Sequence, residues 1–160
     1  GILVAVATDK GKHGLLYFTK EFGFEDYDFF ETPYTSTKAS QGVFSLCVDT
    51  LEEVIWVAGG DYAQPSLGYS AYSGFDDGDF YLTTSQPSGY RSCIEQFMHN
   101  DVSMVISCGL NGADVSVSNP DNAQWKKISQ VPLNTAITSK KGNTVFLCGP
   151  QGTIYKLIVE

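Results

Sequence analysis

The chain has 160 residues, one ordinary domain in length, and its 42% apolar and 13% aromatic content is enough for a packed core. A formal net charge of −8, with Arg91 the single arginine, leaves no basic stripe and argues against nucleic acid as a partner. No apolar run approaches the ~20 residues that a bilayer-spanning helix needs.

Ile2 to Ala7 reads as a continuous apolar strand, Thr8 to Gly14 as a turn and Leu15 to Thr19 as the returning strand. An acidic aromatic segment ending at Pro33 holds a third strand near Tyr27 to Glu31. After a polar loop, four strands follow at Gly42 to Val48, Val54 to Ala58, Tyr69 to Ser73 and Phe80 to Thr84. Gly89 to Phe97, Ser103 to Cys108, Ala113 to Ser118 and Gln124 to Ile128 make a second set of four. Thr135 to Ser139, Thr144 to Cys148 and Thr153 to Val159 close the chain with three. No helical period occurs, and 16 glycines with 9 tyrosines and 10 phenylalanines suit strands joined by tight turns.

One hairpin recurs along the chain. VISCGLNGADVSVS (105–118), FLCGPQGTIYKL (146–157), VAVATDKGKHGLLYFT (4–19) and IWVAGGDY (55–62) with GYSAYS (68–73) share it. Aligning Thr8, Gly59, Gly109 and Gly149 gives spacings of 51, 50 and 40 residues. The residues just before are Ala7, Ala58, Cys108 and Cys148, all small and apolar, which predicts a tight buried position on each repeat. Repeats of this length with four short strands are the pattern of β-propeller blades. The expectation is therefore an all-β domain of about three to four blades, near 1–33, 42–84, 89–128 and 134–160. The first blade lacks its opening strand and the last its closing strand. A stacked solenoid and a β-sandwich are the competing architectures.

The segments after the hairpins resemble the Asp-box turns, Ser-x-Asp-x-Gly-x-x-Trp, of bacterial neuraminidase repeats. Ser118-x-Pro120-x-Asn122-x-x-Trp125 keeps the first and last members. Gly74-x-Asp76-x-Gly78-x-x-Tyr81 keeps the Asp and Gly, and Thr19-x-Glu21-x-Gly23 keeps the chemistry of the first half. Together with GVFSL, VAGGDY, PSGYRSC, GLNGADVSVS and the terminal FLCGPQGTIYKL, the chain from about Ile2 to Leu157 is similar to sialidase-like propellers of the glycosyl-hydrolase-like or photosystem-II assembly-factor-like kind. The resemblance implies the C-terminal half of a propeller. Three to four blades cannot close a ring by themselves, so it further implies a partner supplying the rest: a separate N-terminal half or a second copy of this chain. The start at Gly1, directly on a strand without an initiator methionine or signal peptide, suggests a processed or excised beginning. Compartment is open between an intracellular or organellar complex and a secreted or periplasmic propeller.

Sialidase chemistry, as the resemblance implies it, needs an arginine triad around the substrate carboxylate with a tyrosine nucleophile and a glutamate, and this chain has one arginine. No catalytic set is expected, and the leading function is a non-catalytic interaction scaffold. A carbohydrate-binding or hydrolase-like site in the central channel is the alternative. For it, Arg91 and Tyr90, expected on a channel-lining strand, with Asp61 and Tyr62 at the end of a neighbouring strand, form the candidate pocket for an anionic or sugar-like ligand. The competing reading of these residues is a structural Arg91–Asp61 pair locking two blades.

The remaining candidates read as structural. Asp76, Asp77 and Asp79 are clustered but lack the alternation of a calcium loop. Glu21, Glu25, Asp26, Asp28 and Glu31 form a charged rim that blocks edge pairing, with a basic docking partner as the alternative. Cys47, Cys93, Cys108 and Cys148 have no zinc spacing; they read as free core thiols, a disulfide being the alternative. His13 and His99 are placed in polar turns without a nucleophile nearby. Trp56 and Trp125 are core aromatics. No metal and no cofactor is expected.

Overall fold

The computed structural model describes residues 2–9, 12–19, 27–75 and 78–158. They form β1 (Ile2–Asp9), β2 (Lys12–Thr19) and β3 (Tyr27–Thr35) in one sheet. A second sheet holds β4 (Gln41–Asp49), β5 (Val54–Asp61), β6 (Gly68–Gly74) and β7 (Tyr81–Leu82). A third holds β8 (Cys93–His99), β9 (Val102–Gly109), β10 (Gly112–Val117) and β11 (Lys126–Ser129). The fourth is β12 (Thr135–Thr138), β13 (Val145–Cys148) and β14 (Ile154–Leu157). All pairings are antiparallel meanders, and there is no α-helix among the described residues. The protein is all-β, built of propeller blades that make an arc rather than a closed ring.

Most strand ends shift by a few residues from the sequence expectation, the turn expected over Thr8–Gly14 being strand up to Asp9 and again from Lys12, and three of the differences have a clear local reason. The third strand continues past Pro33 to Thr35. Its register shifts opposite Lys12 and Gly14, so the proline, which has no N–H for the ladder, falls in a bulge. The outer strand expected over Phe80–Thr84 shrinks to Tyr81–Leu82. The Gln86 side chain takes over as pairing partner, accepting from Ser70 N–H at 2.7 Å and donating to Ser70 C=O at 3.1 Å. The strand expected from Gly89 starts only at Cys93. Tyr90 and Arg91 give their N–H groups to Pro65 and Gly59 of the preceding sheet instead, at 2.8 and 2.9 Å.

The sheets pack in chain order, with β4 alongside β1 and β8 and with β12 against β8. The direction of β1 identifies what the first sheet contributes. Its hairpin with β2 lies at the rim where β4 begins and β5 ends. Tyr34 O–H donates to Gly60 C=O at 3.2 Å there, and Gly42 lies against the His13 ring. The β4–β5 hairpin is at the other rim. β1 therefore runs in the sense of β5, a second strand, while β12 to β14 run as first, second and third.

Three apolar clusters seal the sheet-to-sheet junctions. Leu15 meets Val43, Val57, Tyr69 and Ala71 at the first. Cys47, Trp56 and Ala58 meet Ile94, Val105 and Ala123 at the second. Phe97, Ile106, Cys108 and Ala113 meet Leu133, Ala136, Val145 and Leu147 at the third. Each fully buried valine, leucine, isoleucine or phenylalanine among them contributes roughly 1.5–3 kcal/mol. Trp56 anchors the middle junction: its indole N–H donates to Ser118 Oγ at 3.0 Å, and Trp125 meets it edge-to-face at 6.2 Å. Ser118 and Trp125 are the outer members of the box-like segment, and the turn between them is a short 3₁₀ stretch, Pro120–Asn122.

Candidate functional site

Arg91 and Asp61, expected to meet, do not. Arg91 lies in the segment leading into β8 rather than on a channel-lining strand, and its side chain is fully buried. Its guanidinium donates to Asn111 Oδ1 at 2.7 Å, to Ser88 Oγ at 3.0 Å and to the Asp114 carboxylate on β10. The expected Arg91–Asp61 pair is thus an Arg91–Asp114 pair. Asn111 in turn donates to Pro65 C=O at 2.8 Å, so the knot ties the second and third sheets together. Sequence order pointed to Asp61 because it ends a neighbouring strand; Asp114, which is also buried, sits on the arginine's own sheet and is reached within it.

Asp61 turns back on its own chain. Its carboxylate accepts from Ala63 N–H at 2.9 Å, Gln64 N–H at 3.3 Å and Gln41 Nε2 at 3.2 Å. Burial pushes this carboxyl upward, but the hydrogen bonds from Ser40, Ala63, Gln41 and Gln64 together hold it below the usual value. It is the cap of the β5–β6 loop.

Tyr62 and Tyr90 do come together, with a third ring that sequence reasoning missed. Phe44 on β4 stands edge-on to Tyr90 at 5.3 Å and to Tyr62 at 6.1 Å, and the two tyrosines are 6.3 Å apart. Phe44 and Tyr62 are exposed, and Tyr90 is buried beneath them. Phe44 also lines an open cavity of about 460 Å³ between the first two sheets, with His13, Ser36, Lys38, Gln41 and Gly42. No alternation in the largely apolar run Val43–Val48 singles out Phe44, whose exposure between buried Val43 and half-buried Ser45 only the fold reveals.

His13 is not in a polar turn but on β2 and buried, with Nε2 2.6 Å from Ser36 Oγ. Burial lowers its pKa below the ordinary histidine value. Glu31 pairs with Lys12 at 2.7 Å on the surface, an interaction of little stabilising weight. Glu21, Glu25 and Asp26 of the acidic rim, Asp76 and Asp77 of the acidic turn, and the Glu21–Gly23 part of the first box lie outside the described residues. Gly78 takes φ +72, a left-handed conformation that glycine adopts without steric cost. All four cysteines are free thiols.

Among the described residues, none packs against the outer face of the fourth sheet. Ala136, Val145 and Leu147 point to the third sheet and are buried. The alternate residues Ile137, Phe146 and Ile154 are 62%, 40% and 70% exposed. The repeat shows what such positions do elsewhere. Cys108 aligns with Cys148, so Ile106 aligns with Phe146; Ile106 is completely buried under the fourth sheet. In register, Ala113 across from Cys108 corresponds to Ile154 across from Cys148.

No protein-family model matches the chain, and no curated protein matches it.

Proposed function

We propose that this chain is a non-catalytic arc of a sialidase-like propeller, an interaction subunit whose open sheet face docks on further blades of the same kind. The observation that carries this reading is the contrast between Ile106, sealed by the next sheet, and its repeat counterpart Phe146, which faces outward with Ile137 and Ile154 beside it. An apolar sheet face of this kind is an association surface. A blade built on the same repeat has the matching shape, as the three internal junctions do. The non-catalytic part is supported by Arg91. The chain's single guanidinium is spent on Asp114, Asn111 and Ser88, so none remains here to grip a substrate carboxylate.

Size-exclusion chromatography with light scattering tests the proposal. The chain is expected to run well above its 17.4 kDa monomer mass, or to co-purify from a native preparation with a fixed partner carrying propeller repeats. Glu at both Ile137 and Phe146 should abolish that association. A well-folded monomer that captures nothing sinks the proposal.

A second reading rests on the rim. Three edge-to-face rings beside a 460 Å³ cavity with histidine, serine, lysine and glutamine on its wall suit the apolar face and hydroxyl fringe of a sugar. Glycan-array binding lost on Tyr62→Ala and Phe44→Ala, with the fold intact, would favour it; an array blank at millimolar-avidity display would remove it.

A further inference from the structure

We propose that Cys93 is a peroxide-reactive thiolate and that Cys108 resolves its oxidised form as a disulfide across β8 and β9. The two cysteines are direct antiparallel partners in register. Such partners have Cα atoms about 4.5 or 5.5 Å apart, and a disulfide accepts Cα separations of about 4.4–6.8 Å. The Cβ atoms of such partners stand about 4.5–5.5 Å apart against about 3.5–4.5 Å in a disulfide, so the two strands close in by up to about 1 Å to join them.

The surroundings of the two sulfurs differ. Cys93 is half-buried, and its Sγ lies 3.3 Å from the Ala136 N–H and 3.7 Å from the Thr135 hydroxyl, both on β12 of the next sheet. Cys108 is completely buried in the junction between the third and fourth sheets. The bonds from this amide and this hydroxyl favour the ionised sulfur, and in its protonated form the Cys93 thiol donates to Ala136 C=O at 3.6 Å. The Cys108 thiol hydrogen bond lowers the Cys93 pKa most; burial opposes it, and Ala136 N–H and Thr135 O–H add to it, for a value of about 6. The same hydrogen bond, with burial, pushes Cys108 up, so it keeps its proton. The other ionisable groups felt at this pair are Glu95 on β8, which opposes the Cys93 thiolate, Arg91 before it, Cys47 on β4 and Cys148 on β13. Nucleophile and resolver are thus separated by burial: Cys93 is the half-buried sulfur, with donors from β12 beside it, and Cys108 is the one closed inside the junction.

The chemistry balances with hydrogen peroxide as oxidant. The Cys93 thiolate attacks one peroxide oxygen; the S–O bond forms, the O–O bond breaks, and the departing hydroxide takes a proton to become water. Sulfur is oxidised to the sulfenic acid and peroxide is reduced. The Cys108 sulfur then attacks the sulfenic sulfur; the S–S bond forms, the S–O bond breaks, and the hydroxide leaves as water with the Cys108 proton. The disulfide draws Cys93 Sγ away from Ala136 and Thr135, and so removes a tie between the third and fourth sheets.

Alkylation of the purified chain by iodoacetamide, mapped by peptide mass spectrometry from pH 5 to 9, is the first arm of the test. Cys93 is expected to react first. At pH 6 its rate should be about tenfold that of an ordinary thiol, the larger thiolate fraction outweighing its lower intrinsic nucleophilicity. In the second arm, one equivalent of hydrogen peroxide should give a chain two hydrogens lighter, with Cys93 and Cys108 in one cross-linked peptide that dithiothreitol releases. With Cys108→Ala, dimedone should trap the sulfenic acid on Cys93. The proposal is overturned if Cys93 titrates like a free thiol, if peroxide leaves all four thiols intact, or if Cys93 is found joined to Cys47 or Cys148. These readouts on the unaltered protein decide the matter even where the variant does not fold.

Discussion

At the scale of single residues, the most consequential feature is a buried ion pair within one sheet. Arg91 and Asp114 are both shielded from water, and Ser88 serves both, donating its N–H to Asp114 at 3.1 Å and accepting from Arg91. Removing one partner strands the other charge in the interior. Arg91→Ala or Asp114→Ala is expected to cost about 3–5 kcal/mol by urea denaturation, while the paired change to Met and Leu recovers most of it. Arg91→Lys should also lose stability, since an ammonium cannot reach Asn111 and Asp114 as a planar fork does. Asp61 predicts a pH effect with a definite sign. Its folded pKa lies below the unfolded one, so its contribution is present above the unfolded value of ~3.9 and disappears as pH falls through the folded one. Melting temperature measured from pH 7 to pH 3 should therefore drop more steeply below about pH 4 in the natural protein than in Asp61→Asn.

At the scale of the element, the recurring hairpin has a steric purpose. Gly59, Gly109 and Gly149 each lie where the chain enters the first strand of the same sheet, against the carbonyl oxygens of Gly42, Tyr90 and Pro132. A Cβ on Gly109 would overlap Tyr90 C=O, whose segment is also held by the bond from Tyr90 N–H to Pro65. Neither side can give way without disturbing the Arg91 knot beside it. Gly109→Ala should thus lose about 1–3 kcal/mol, read as a lower denaturation midpoint at an unchanged m-value. Of the small residues that precede these glycines, Ala58 and Cys108 are completely buried where sheets meet, whereas Cys148, on the end sheet, is only half-buried.

At the scale of the whole molecule, stability comes from junctions between sheets, and the end sheet has one junction fewer than those between. Its outer face should be visible to an apolar dye. The natural chain, when kept apart from any partner, is expected to bind such a dye while fully folded, which a sealed domain does not do. Phe146→Glu should lower that signal and leave the melting temperature within about 1–2 °C, because an exposed side chain off the junctions contributes only a few tenths of a kcal/mol. If the dye signal follows unfolding instead, the outer face is covered by something within the chain.

Period and alternation in the sequence were enough for the all-β class, the antiparallel hairpins and the arc. These depend on local rules: which residues favour strands, where glycine breaks them, and how often the pattern returns. The repeat alignment also makes Ile106 and Phe146 equivalent, although it pointed to the residue before each glycine, not to the glycine, as the tight site. What the tertiary structure alone decided were partners between segments far apart in the chain. Arg91 chose Asp114 over Asp61 because the arginine's backbone is drawn across to Gly59 and Pro65, which turns its side chain into its own sheet. Phe44 joined Tyr62 and Tyr90 because β4 and the lead-in to β8 run side by side at one rim. Cys93 met Cys108 through a register that no spacing reveals. Strand-forming tendency is written in neighbours along the chain, whereas contact across a sheet or between sheets is fixed by register and packing, which are properties of the assembled fold.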